Sequence, residues 1–147
     1  MSATSGLRTD QALIAEWIRP GARVLDLGCG DGVLLEFLQR NRKVTGYGLE
    51  IEADGIVSCM SRGVNVIQTD IDGGLSDFDA ESFDYVIMSQ TLQATRFPQR
   101  LLEEMLRIGR EGIVTFPNIG NWRARLQFIA GHMPVTRSLP TARPPES

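Results

Sequence analysis

The residues of this chain whose types and spacing could do chemistry are a glycine run, Gly28-Cys29-Gly30-Asp31-Gly32, and two carboxylates, Glu50 and Asp70. Each follows a short apolar run. A glycine turn lets backbone approach a ligand closely, and a helix that starts just after it presents free N–H groups and the positive end of its dipole. An ionised Glu50 offers two acceptor oxygens, which suit the paired hydroxyls of a ribose. Asp70 can accept from an exocyclic amine such as that of adenine, and Ile51 and Ile71 can flank a flat base. Together these residues describe a site for an adenosine with a polar extension.

The elements needed to position them are legible. Residues 9–18 carry Leu13, Ile14, Trp17 and Ile18 at helical spacing, stopped by Pro20-Gly21. Strands are expected over 23–27, 43–49, 64–68, 83–89 and 112–116, and helices over 32–41, 51–61, 98–110 and 120–129. Strands alternating with helices in this way imply right-handed βαβ units and an α/β, doubly wound, Rossmann-like and mostly parallel sheet. The strands are near-continuous apolar runs, as in a sheet covered on both faces. In such a sheet the ends of the first three strands lie side by side, so the glycine turn, Glu50 and Asp70 converge on one crevice.

The turn does not follow the dinucleotide pattern G-x-G-x-x-G/A, because its third position is Val33. From Asp26 it reads D-x-G-x-G-x-G. With Asp70 after the third strand, this resembles class I S-adenosylmethionine-dependent methyltransferases. The resemblance implies that Gly28 and Gly30 pass close to the methionyl part of S-adenosylmethionine, with S-adenosylhomocysteine as product. It implies that Asp26 helps hold the turn and the ligand's amino group, that Glu50 takes the ribose, and that Asp70 with Ile71 takes the adenine. Ser89 and Gln90, after the fourth strand, read as hydrogen-bonding residues that shape the pocket rather than as bases.

A closer resemblance is carried by Tyr47-Gly48-Leu49-Glu50, by 62–68 (RGVNVIQ), by 89–95 (SQTLQAT), by Phe116-Pro117-Asn118 and by Met133-Pro134-Val135-Thr136. These phrases, over about residues 7–140, resemble the MetW family of methionine biosynthesis proteins. The resemblance implies an S-adenosylmethionine-binding protein that works with homoserine O-acyltransferase, using either acetyl or succinyl groups. An active methyltransferase on a small molecule is the alternative. Residues 1–140 are expected to form the methyltransferase-like domain and 141–147 a disordered tail. Five strands are expected rather than seven, lacking the last two. That would leave the fifth strand as an edge open to pairing, for instance in a homodimer.

A formal net charge of −3 gives no bulk attraction to nucleic acid. No apolar run reaches the roughly 20 residues of a membrane span. Cys29 and Cys59 are not in metal-type spacing, and with no secretion pattern they read as reduced thiols of a cytoplasmic protein. No metal site and no catalytic base are identified, and His132, the single histidine, reads as a solvated loop residue. Arg123, Arg125 and Arg137, interleaved with Trp122 and Phe128, fit either a solvated basic face or a docking surface for an acidic partner.

Overall fold

The computed structural model describes residues 6–73, 75–89 and 95–115, and the backbone of 116, 124–129 and 135–138. The elements in chain order are α1 (Thr9–Trp17), β1 (Arg23–Leu27), α2 (Val33–Arg42), β2 (Thr45–Glu50), α3 (Ala53–Ser61), β3 (Asn65–Gln68), β4 (Phe83–Ser89), α4 (Pro98–Ile108), β5 (Gly109–Phe116), β6 (Ala124–Ile129) and β7 (Val135–Ser138). The sheet order is β3-β2-β1-β4-β5-β6-β7. The first five strands of that order pair in parallel.

Side chains alternate across the sheet and feed two cores. Val24, Tyr85, Ile87 and Ile113 pack with Ile14 and Ile18 from α1 and its C-cap, Leu34, Leu35 and Leu38 of α2, and Cys59 of α3. Leu25, Leu27, Leu49, Val86, Met88 and Val114 face Leu101, Met105 and Ile108 of α4. The i, i+4, i+7 spacing of that trio puts it on one stripe of α4, and Pro98 sits in the first helical turn, where a missing N–H costs nothing. Arg107 of α4 anchors the preceding loop by donating to the carbonyls of Phe78 at 2.7 Å and Leu75 at 3.0 Å.

The parallel doubly wound sheet is the architecture the strand–helix alternation implies, but its far side corrects two expectations. The helix expected over 120–129 is replaced there by β6, which pairs antiparallel with β5 from Glu111↔Ile129 to Phe116↔Ala124. The two strands expected to be lacking are present, since β7 pairs antiparallel with β6. Helical spacing of Trp122, Leu126 and Ile129 competes with strict alternation of Arg125 and Gln127 with Leu126 and Phe128, and the period of two prevails. β5 is therefore an inner strand, and the open edge invoked for self-pairing does not exist there. The tail at 141–147 lies outside the described residues.

Candidate functional site

Three glycines with positive φ, Gly28 (72°), Gly30 (60°) and Gly32 (83°), carry the chain from β1 into α2. A Cβ on Gly30 would meet nothing within 4 Å, so its glycine is required by backbone conformation rather than by crowding. The N–H groups of Gly28 and Cys29 both donate to the Leu49 carbonyl, at 2.8 and 3.0 Å, which straps the turn to the end of β2.

Glu50, the last residue of β2, completes the strap. Its Oε1 accepts from the Gly30 N–H at 2.8 Å, and its Oε2 accepts from the N–H groups of Ile51 at 3.1 Å and Glu52 at 2.9 Å. A carboxylate has roughly four acceptor positions. Three are used by backbone, which leaves one further acceptor position, on Oε1. Gly55 of α3 packs against this junction, and a Cβ there would come to 2.8 Å from the Gly30 carbonyl and 3.0 Å from Glu50 Cγ.

Beside the turn opens a cleft of about 350 Å³ lined by Arg8, Gln11, Asp26, Gly28, Cys29, Gly30, Asp31, Leu34 and Ser89. Asp26 is 4% exposed, and its Oδ1 is a buried oxygen with no hydrogen-bond partner. Burial pushes its carboxyl up to about 7, against the pull of the Arg8 guanidinium and with a further push from Glu50. Arg8 is the one cation among the described lining residues. It donates to Asp10 through Nε at 3.2 Å and to Ser89 Oγ at 3.1 Å.

Asp10 is fully buried and ties the start of α1 to the sheet. Its Oδ2 accepts from Ser89 Oγ at 2.7 Å and from Thr115 Oγ1 at 3.5 Å, at the ends of β4 and β5. Gln11 accepts from the Arg8 N–H at 3.0 Å, a reach-back that fixes the first turn of the helix. The other end of α1 is held by the Tyr85 hydroxyl. That hydroxyl donates to the Trp17 carbonyl at 3.2 Å and accepts from Arg19 at 2.9 Å.

Asp26, Gly28, Gly30 and Ser89 thus line one cleft, and Glu50 stands directly behind Gly30. Asp70 is exposed after β3 and accepts from the Asp72 N–H at 3.0 Å. Ile51 is 52% exposed. Ile71 packs partly against the α4-side core and lines a separate pocket of about 180 Å³ with Asp72, Leu75, Phe97 and Arg100. Gln90 lies outside the described residues. Sequence reasoning missed Arg8, Asp10 and Gln11. The available signal was charge balance, because a cleft rich in carboxylates needs a cation before it can accept a carboxylate group.

A family model described as "Methionine biosynthesis protein MetW" matches residues 8–143. The chain belongs to the MetW family. The bifunctional methionine biosynthesis protein MetXA/MetW of Rhodopirellula baltica is 37% identical over 131 residues, covering 84% of this chain and 21% of that protein. The ubiquinone biosynthesis O-methyltransferase of Hahella chejuensis is 32% identical over 130 residues, covering 82% of this chain and 53% of that one. The MetW chain therefore spans about a fifth and about half of these two relatives. Its fold is that of S-adenosylmethionine-dependent methyltransferases. One such structure, from Archaeoglobus fulgidus, superposes with a TM-score of 0.62 at 24% identity, covering 76% of this chain and 53% of the other. No helix among the described residues is long and apolar enough to cross a membrane.

Proposed function

We propose that this MetW-family chain binds S-adenosylmethionine or S-adenosylhomocysteine and acts as the partner of a homoserine O-acyltransferase. The observation that carries the partnership is the Rhodopirellula baltica relative, in which a MetW portion and a MetXA portion share one polypeptide. We read the MetXA portion as the acyltransferase. Two activities joined in one chain work at high effective concentration, and a separate MetW chain achieves the same pairing by docking.

The cleft fits the amino-acid end of the ligand. A zwitterion needs an anion for its ammonium and a cation for its carboxylate. Asp26 supplies a buried oxygen without a partner, and Arg8 supplies the cation. The glycine turn keeps side chains away from the sulfonium between them, and Glu50 Oε1 receives one ribose hydroxyl. Ile51, Asp70 and Ile71 take the adenine, and Ser89 shapes the wall of the cleft beside Arg8. When bound, the sulfonium ligand supplies an activated methyl group. The chain's own residues bind and orient it.

The test is to mix the purified chain with a homoserine O-acyltransferase from the same source. The expected result is co-elution on size exclusion and a rise in acyltransferase activity or solubility. Separate elution with unchanged activity refutes the partnership. The likeness to an O-methyltransferase favours a second reading, methyl transfer to a small molecule. Release of S-adenosylhomocysteine in the presence of extract fractions tests it, and absence of turnover with the cofactor bound counts against it.

A further inference from the structure

Cys29 and Cys59 are thirty residues apart in sequence, yet their buried sulfurs lie 3.5 Å from each other. Cys29 belongs to the glycine turn and lines the cleft. Cys59 belongs to α3, is fully buried, and donates to the Gly30 carbonyl at 3.4 Å. Two glycines make room for the sulfurs. A Cβ on Gly48 would come within 2.3 Å of Cys29 Sγ, and one on Gly32 within 2.9 Å of Cys59 Sγ. The pair is therefore seated between the ligand-binding turn and the helix that backs it, where a bond between the sulfurs would move the turn.

We propose that Cys29 and Cys59 form a dithiol switch, which hydrogen peroxide converts to an intramolecular disulfide that closes the cleft to its nucleoside ligand. The effect on the ligand rests on the function proposed above, while the chemistry of the pair does not. The thiolate of Cys29, a residue that lines the cleft, attacks a peroxide oxygen. The O–O bond breaks, leaving a sulfenic acid on Cys29 and releasing the first water. Cys59 sulfur then displaces the hydroxyl, the S–S bond forms, and the second water leaves. The dithiol loses two electrons and two protons, and the peroxide gains them. Burial holds both thiols above the ordinary cysteine range, which keeps the thiolate fraction small and makes the first step slow.

A disulfide sets the sulfurs about 2.05 Å apart. Closing from 3.5 Å draws the turn toward α3, removes the thiol donor from the Gly30 carbonyl and shifts Gly30 against Glu50. Ligand already in the cleft blocks the path to Cys29, so occupancy and oxidation oppose each other.

The test treats the full chain with hydrogen peroxide, with and without S-adenosylhomocysteine, and follows it by intact mass, thiol titration and peptide mapping. The expected product has lost the mass of two hydrogens and contains a Cys29–Cys59 cross-linked peptide. Its S-adenosylhomocysteine Kd is raised by about tenfold or more, dithiothreitol reverses the change, and prior ligand slows it. Cys59→Ala is expected to stop at a sulfenic acid on Cys29 that dimedone traps, and Cys29→Ala to leave Cys59 unmodified. Oxidation of Cys29 onward to the sulfinic acid with Cys59 still reduced overturns the proposal. So does a disulfide that leaves affinity unchanged. If the reduced chain binds no S-adenosylhomocysteine, the ligand reading fails, and the mass and cross-link still decide the fate of the pair.

Discussion

Asp26→Asn isolates the most unusual electrostatic feature of the cleft. In the folded chain the Asp26 carboxyl is pushed from 3.8 up to about 7, first by burial. Between those two values the folded chain holds a proton that the unfolded chain has lost. Stability from this group is therefore intact below about pH 4, falls as pH rises, and levels off above about pH 7. A tenfold change in proton affinity is worth about 1.36 kcal/mol, so ionising Asp26 in the free fold costs about 4 kcal/mol. Asp26→Asn cannot ionise. Urea denaturation of both proteins at pH 4.5, 5.5, 6.5 and 7.5 should give a wild-type curve that falls by about 3 kcal/mol relative to the variant across the series. An ammonium placed beside Asp26 favours the ionised form. Binding of S-adenosylhomocysteine at pH 6 should therefore release a proton, seen calorimetrically as a heat that varies with the ionisation enthalpy of the buffer. Parallel stability curves for the two proteins would refute the buried-carboxyl argument. A buffer-independent binding heat would refute the pairing of Asp26 with the ligand's ammonium.

Glu50→Gln keeps the shape of the strap but gives its backbone donors a neutral acceptor, and should cost about 1–3 kcal/mol in stability and a comparable amount in S-adenosylhomocysteine affinity. Unchanged affinity in a calorimetric titration would put the ribose elsewhere. Arg8→Ala should weaken S-adenosylhomocysteine at least tenfold, about 1.4 kcal/mol, while barely changing the affinity for methylthioadenosine, which has no carboxylate. Equal losses for both ligands would show that Arg8 acts only by holding α1. Gly55→Ala forces a methyl against the Gly30 carbonyl and Glu50, and should destabilise by about 1–3 kcal/mol with a lower Tm. Tyr85→Phe removes the hydroxyl bonded to the Trp17 carbonyl and to Arg19, and should lower stability by about 1 kcal/mol while S-adenosylhomocysteine affinity stays within twofold.

The half of the fold built from β1 to α4 was legible because each element announces itself locally. Pro20-Gly21 ends α1, the glycine run ends β1, Gly63 ends α3 and Pro98 opens α4. The second half was less legible. Around residues 122–129 the same apolar residues satisfy two periods, and pairing with β5 decides between them, which is information from another part of the chain. For the cleft, the glycine turn and the strand-end acid Glu50 could be named from order alone, because parallel strands fix where their ends lie. Arg8, Asp10 and Gln11 could not. Arg8 and Gln11 reach the cleft only because the fully buried Asp10 between them meets Ser89, nearly eighty residues away in sequence, and Thr115, more than a hundred away. The contact of Cys29 with Cys59 is likewise a product of α3 packing on the turn, invisible in the spacing of the two cysteines.

Helix α1 is fastened to β4 twice, through Asp10 and Ser89 at one end and through the Trp17 carbonyl and Tyr85 at the other. A beam bolted at both ends does not swing. Peeling it back would break the hydrogen bonds that Ser89 and Thr115 donate to the fully buried Asp10, so this wall of the cleft is the one least free to move. On the binding mode proposed above, the nucleoside would enter from the flank of the exposed Ile51. Any protein docked over that flank would control how long the ligand stays.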